Sequence, residues 1–208
     1  MPPPNFNLYL ITDRKLTQGR DLCAVVEQAL DGGVRAIQLR EKDLGGKELF
    51  ELANKTAMLC QRYNAQFFIN DRIDVALAVD AAGVQLGSTS IPIEEARALL
   101  GPDKNIGVST HSIEEAKDAE RCRADFVLFG PVYFTPSKAG FGEPQGLATL
   151  KKIVENLSLP VYAIGGIKPG NIPEVKHTGV RGVALISAII GAADPTTESK
   201  KILQLLQE

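Results

Sequence analysis

The chain has 208 residues, 44% of them hydrophobic, which is enough for one well-packed core and short for two. Its 23 basic and 25 acidic residues leave a formal charge of −2, a balance that gives no pull toward nucleic acid or an anionic membrane. The opening "MPPPNFNLYLITDRK" lacks the basic and apolar regions of a secretory signal, and no apolar run approaches the roughly 20 residues that span a bilayer. Cys23, Cys60 and Cys122 are odd in number, scattered, and each falls in a predicted helix. They suggest reduced thiols in a cytoplasmic protein, not a disulfide frame or a zinc site.

One phrase recurs along the chain: a short β-rich apolar run, a polar loop, then an amphipathic helix. The runs are "LYLIT" (8–12), "AIQLR" (36–40), "FFIN" (67–70), "GVQLG" (83–87), "NIGVS" (105–109), "FVLFG" (126–130), "VYAIG" (161–165) and "GVALIS" (182–187). Between them, "DLCAVVEQAL", "GKELFELANKTAMLCQRY", "SIEEAKDAERC" and "GLATLKKIVENL" repeat apolar residues at three- and four-residue spacing. Such alternation predicts parallel strands covered by helices, and eight units predict an α/β fold, a single (β/α)8 TIM barrel over residues 1–208. An open doubly wound sheet is the alternative. "DGGV", "DAAGV" and "HTGV" place glycine where a helix ends before strands two, four and eight. No linker or low-complexity segment divides the chain.

Chemistry in such barrels sits at the carboxyl ends of the strands. Strand two runs into "QLREKD", where Gln38 and Arg40 alternate with Leu39 and face the mouth, with Lys42 two residues on. Strand three ends in "INDR", giving Asn70 and Asp71, and strand five in "VSTH", giving Ser109. After strand six the loop "GPVYFTPSKAGFGEPQG" carries Thr135, Ser137 and Lys138. Strand seven ends in "IGGI" with Gly166, and strand eight in "LISAI" with Ile186 and Ser187. Singly, each cation is a rim charge, Asp71 is a cap for the next helix, and His111 beside Ser112 is structural; His177 has no assigned role. Together they form a polyanion clamp: a planar guanidinium fork, mobile ammonium charges, hydroxyls and glycine-rich backbone. Two anion sites in one mouth imply two phosphorylated substrates, or one phosphorylated at both ends.

"QLREKD", "IND", "GVST", "GPVYFTPSK", "AIGGI" and "ISAI" resemble, in order and spacing, the thiamine phosphate synthase family, from "LYLIT" to the last strand. That resemblance implies a transferase joining hydroxymethylpyrimidine diphosphate to thiazole phosphate, with release of pyrophosphate, in thiamine biosynthesis. By motif, Gln38, Arg40, Lys42, Asn70 and Lys138 would hold the diphosphate and Asp71 its Mg²⁺. Ser109 would sit beside the pyrimidine. Thr135, Ser137, Gly166, Ile186 and Ser187 would position the thiazole phosphate. Arg40, Lys138 and Ser109 are the residues expected to act in catalysis. The family's dissociative reaction needs a neutralised leaving group in a dry pocket, not a strong base or nucleophile.

One position departs from the family. After strand four the chain reads "STS", with Ser90 where the family's second acidic Mg²⁺ ligand usually stands. One carboxylate plus diphosphate oxygens would hold Mg²⁺ more weakly. The family's relative, the thiazole tautomerase, needs no metal but uses a histidine just after strand six, where this chain has Pro131. A tautomerase-like enzyme and a non-catalytic binder of thiazole or thiamine phosphate remain the alternatives. The expected partners are small phosphorylated molecules, with no nucleic acid and no membrane; the oligomeric state, a homo-oligomer included, is left open.

Overall fold

The computed structural model describes residues 4–135 and 143–207. Eight strands, β1 (Leu8–Ile11), β2 (Ala36–Leu39), β3 (Gln66–Asn70), β4 (Gly83–Leu86), β5 (Asn105–Thr110), β6 (Phe126–Phe129), β7 (Val161–Ile164) and β8 (Gly182–Leu185), close into a barrel in sequential order. Every neighbouring pair is parallel, and β8 pairs with β1, Leu8 opposite Val183. The closed ring excludes the open sheet. Around it lie α1 (Leu22–Asp31), α2 (Gly46–Arg62), α3 (Ile73–Ala78), α4 (Ile93–Leu100), α5 (Ile113–Arg121), α6 (Gly146–Asn156), α7 (Ile172–Lys176), α8 (Ser187–Ile190) and α9 (Pro195–Gln207). Helix starts are fixed locally: Asp21 accepts from the Ala24 amide at 2.9 Å and Ser112 from the Glu115 amide at 3.1 Å.

Side-chain alternation builds two apolar cores. Outward residues such as Leu10, Ile37, Leu39, Ile69, Val84 and Val127 pack under the helices. Inward residues form a separate plug of Phe6, Tyr9, Phe68, Phe126 and Tyr162, with the Phe6 ring 4.7 to 6.0 Å from the other four. Burying aromatics of this size contributes about 2–3 kcal/mol each, and edge-to-face pairs such as Phe68–Phe126 add to it. Room for the plug comes from Gly107, where a Cβ would meet the Phe126 ring at 2.3 Å. The plug seals the amino end of the barrel and leaves the carboxyl end to the polar side chains.

Two of the three expected helix-end glycines take the left-handed backbone, Gly33 at φ +101° and Gly179 at φ +86°. In "DAAGV" the left-handed residue is Asp80, at φ +50°, because α3 ends three residues earlier than the glycine requires. Gly83 serves instead as a close-contact residue: a Cβ there would lie 2.0 Å from the Asn105 carbonyl oxygen. Among the described residues no helix is long and apolar enough to cross a membrane.

Candidate active site

Because all eight strands are parallel, their carboxyl ends form one rim, and the predicted residues that are described gather there. Arg40 follows β2, Asn70 ends β3 and Asp71 follows it, Ser109 lies near the end of β5, Thr135 follows β6, Gly166 follows β7, and Ile186 and Ser187 follow β8. Ser137 and Lys138 lie outside the described residues.

Depth separates these residues. Gln38 is 1% exposed and sits below the mouth, donating from Nε2 to the Tyr9 hydroxyl at 3.3 Å. Burial pushes that Tyr9 phenol well above its usual range, so it remains a neutral hydroxyl in the barrel floor. Gln85, in β4, donates from Nε2 to Ser109 Oγ at 3.1 Å, which fixes the serine hydroxyl near the carboxyl end of β5. The other end of that amide, Gln85 Oε1, is buried without a protein partner, as is Thr110 Oγ1. Arg40 is half-buried and Lys42 exposed, and neither makes a salt bridge among the described residues. They line a cleft of about 200 Å³ with Asp13, Lys15, Glu41 and Asp43.

Asp71 adopts φ +67°, a left-handed conformation that aspartate tolerates better than most residues but at a cost of order 1 kcal/mol. Its amide donates to the Gln85 carbonyl at 3.0 Å, which turns the carboxylate out of strand register onto the rim. The neighbouring cation does not quench it: Arg72 forks onto Asp74 at 2.8 and 2.5 Å. The Asp71 carboxylate has no hydrogen-bond or salt-bridge partner among the described residues, so its oxygens are open to a hard cation. No cluster of three metal-ligating side chains occurs among the described residues. The donor set therefore fits an ion that takes one carboxylate from the protein and its other ligands from substrate and water. Ser90 contributes no charge; its hydroxyl accepts from the Gly87 amide.

Around the second half of the rim the site is mostly backbone. Gly166 is left-handed at φ +66° and presses against the segment after β6, where a Cβ would lie 2.6 Å from Tyr133 Cβ. Thr135 donates to the Tyr133 carbonyl at 3.1 Å. The first turn of α8 leaves its leading amides without an intrahelical acceptor. The two histidines are held through Nδ1, His111 by the Gly130 carbonyl and His177 by the Pro173 carbonyl at 2.6 Å, which fixes the orientation of each ring.

Sequence reasoning missed the buried support of this rim. Glu41, the middle of "REK", is 5% exposed and accepts from Thr12 Oγ1 at 2.7 Å and from Arg14 Nη1 at 3.1 Å. The signal was present in the alternation, which turns Glu41 away from the mouth when Arg40 and Lys42 face it.

Comparison with known proteins decides among barrels that share such a rim. The profile described as "Thiamine monophosphate synthase" matches residues 8–189. The chain belongs to the thiamine monophosphate synthase family. A thiamine-phosphate synthase of Clostridium novyi is 44% identical over 201 residues, 97% of this chain and 98% of that one. Another, from Shouchella clausii, is 43% identical over 203 residues, covering 98% and 97%. The solved thiamine phosphate pyrophosphorylase of Pyrococcus furiosus superposes with a TM-score of 0.90 at 43% identity, over 98% of this chain and 96% of that one. A 3-hexulose-6-phosphate synthase at 19% identity and a TM-score of 0.67 shares the fold alone. Full-length likeness to synthases of this family makes the chain a thiamine-phosphate synthase, a transferase of thiamine biosynthesis that releases pyrophosphate. The family typically uses Mg²⁺.

Proposed function

We propose that the rim carries out this transfer by holding a pyrimidine diphosphate over the β2–β3 side and a thiazole phosphate over the β6–β8 side. The observation that carries the assignment of sides is that Arg40 and Lys42, without a salt-bridge partner among the described residues, follow β2, the strand paired with β3, which leads into the open carboxylate of Asp71. A fork and a point charge suit a diphosphate with charge on both phosphoryl groups. Glycine backbone and hydroxyls at Gly166, Thr135, Ile186 and Ser187 suit a monophosphate. Lys138 and Ser137 complete the two sides in this reading.

The bond that breaks joins the pyrimidine methylene carbon to the diphosphate oxygen, and the bond that forms joins that carbon to the thiazole nitrogen. Pyrophosphate takes the bonding electrons. Arg40 and Lys42 neutralise the charge that grows on this leaving group, and Asn70 adds an amide donor. Ser109, held by Gln85, orients the pyrimidine ring above the neutral floor of Gln38 and Tyr9. No proton need leave carbon or nitrogen in the bond-forming step. Mg²⁺, held by Asp71 and the diphosphate, would supply further charge neutralisation as a Lewis acid.

The test is formation of thiamine phosphate and pyrophosphate from the two precursors, with and without Mg²⁺. Turnover of a thiazole alone, indifferent to chelator, would replace this reading with the tautomerase-like one. Thermal stabilisation by either phosphate without turnover would leave a binding protein.

A further inference from the structure

The sequence "REKD" places two cations and two carboxylates on four successive residues, Arg40 to Asp43. Left to themselves, neighbouring opposite charges would pair and spend the cations that the rim needs. The structure sorts them instead. Arg14, in the loop after β1, donates from Nη1 to Glu41 Oε2 at 3.1 Å and forks onto Asp43 at 2.5 and 3.0 Å. Its backbone amide also reaches both Glu41 oxygens, at 3.1 and 3.2 Å. Lys15 takes the other side of Asp43 at 2.9 Å. Both acids of the β2 loop are thus engaged by the β1 loop, and Arg40 and Lys42 keep no carboxylate partner among the described residues.

A buried hydroxyl ties this arrangement to the position of Arg40. Thr12, fully buried, donates to Glu41 Oε1 at 2.7 Å and accepts the Arg40 amide at 3.0 Å. The Thr12 amide in turn donates to the Gln38 carbonyl at 2.9 Å. Glu41 is therefore engaged from the β1 side, and the same network fixes the backbone of Arg40. Asp43 is held far below the usual carboxylate range, by Arg14 first and Lys15 second, so it remains an acceptor for both at any working pH.

We propose that Arg14 is a positioning residue for the transfer: it occupies Glu41 and Asp43 so that Arg40 and Lys42 stay free for the diphosphate. This rests on the assignment of Arg40 and Lys42 to that substrate. Removing the Arg14 charge would release two acids into a cleft of about 200 Å³ shared with both cations. Incoming diphosphate would then compete with an internal carboxylate for each cation, as expected from the strength of charge-assisted pairs.

The experiment compares parent, Arg14→Gln, and the triple variant Arg14→Gln/Glu41→Gln/Asp43→Asn in the two-substrate assay, with KM taken for each substrate. Arg14→Gln should raise the KM for the pyrimidine diphosphate roughly 10-fold, leave that for the thiazole phosphate near the parent, and lose part of its defect at high salt. The triple variant should recover most of the loss, because the competing acids are gone. A merely structural role predicts the reverse order, with the triple variant worse than the single one, and that result overturns the proposal. Should Arg14→Gln fail to fold with Glu41 buried and uncompensated, Arg14→Gln/Glu41→Gln takes its place, with Asp43 as the remaining released acid. Its diphosphate KM should then exceed that of the triple variant, and equality overturns the proposal. Arg40→Ala separates the two levels. An unchanged diphosphate KM in Arg40→Ala removes the clamp and this proposal with it. A defect in Arg40→Ala beside parent-like kinetics in Arg14→Gln removes only the sorting role.

Discussion

The Ser90 hydroxyl accepts the Gly87 amide at 2.8 Å, while the Gly87 carbonyl accepts the Ser90 amide at 3.1 Å. Position 90 therefore closes the loop after β4 on itself, and any side chain there must offer an acceptor to Gly87. An aspartate carboxylate does so as well as a hydroxyl, so Ser90→Asp should leave the turn intact, with a melting temperature within about 2 °C of the parent. It adds negative charge to the rim that carries Asp71, and the Mg²⁺ concentration for half-maximal rate should fall by roughly 10-fold. The gain reverses where metal is scarce, because the bare carboxylate then repels the diphosphate. Rate against Mg²⁺ for the two proteins should give curves that cross; coincident curves would place position 90 away from the metal.

Asp71 tests the same site from the other side. Asparagine tolerates the left-handed backbone at φ +67° as readily as aspartate, so Asp71→Asn removes charge without removing the turn. We expect a parent-like melting curve and at least a 100-fold loss of rate at millimolar Mg²⁺, in line with removal of a group that neutralises transition-state charge. Retained activity with unchanged Mg²⁺ dependence would assign Asp71 to the rim only.

Arg40→Ala removes the one guanidinium fork offered by the β2 strand end. The expected loss is roughly 100-fold or more in kcat/KM for the diphosphate substrate. Arg40→Lys should recover only part of it, since an ammonium keeps the charge and loses the fork. Full recovery by lysine would show that charge alone matters there.

How far the sequence was legible follows from the range of the forces involved. The eight strands and the helices between them were visible because apolar periodicity is written locally, and the outward–inward alternation of Gln38, Leu39 and Arg40 followed from the pleat. Burial depth was not: Gln38 is 1% exposed and bonded to Tyr9, because barrel closure sets how far down an inward residue sits. Arg14 and Glu41 are 27 residues apart, and only the pairing of β1 with β2 brings them together. Asp80 in place of the expected glycine shows a helix ending one turn early, a boundary that local propensity leaves loose.

The three thiols give a check on the packing behind the helices. Cys60 is 1% exposed, and burial pushes its thiol up to about 12. Cys23 is raised by burial as well, and Cys122 is raised chiefly by its hydrogen bond with Glu94. A raised thiol pKa lowers the reactive thiolate fraction at a given pH, by roughly 1,000-fold for a three-unit shift. At pH 8 a disulfide-exchange reagent should modify Cys23 and Cys122 slowly, and Cys60 only as fast as the barrel opens. Denaturant should release three fast thiols. Rapid reaction of Cys23 and Cys60 in the native protein would contradict the packing of α1 on α2.

Gly166 offers the test of the other half of the rim. A Cβ there would lie 2.6 Å from Tyr133 Cβ and 2.8 Å from the Phe134 carbonyl, and its φ of +66° is unfavourable for alanine. The segment it would push is pinned nearby, with the Tyr133 amide on the Gly165 carbonyl at 3.0 Å and Thr135 on the Tyr133 carbonyl at 3.1 Å. Gly166→Ala should therefore cost about 2 kcal/mol, or roughly 4–8 °C in melting temperature, from overpacking and backbone strain together. Its kinetic effect should be one-sided. Displacing Tyr133–Thr135 raises the KM for the thiazole phosphate roughly 10-fold and leaves the diphosphate KM near the parent, since Arg40 and Lys42 stand on the far strands. Gly182→Ala is the control: its Cβ would lie 2.2 Å from the Asn7 carbonyl oxygen, at the amino end of β8 and away from the rim. It should lose a similar amount of stability with no preference between substrates. Equal rises in both KM values for Gly166→Ala would mean that the β7 turn supports the barrel and reads no phosphate.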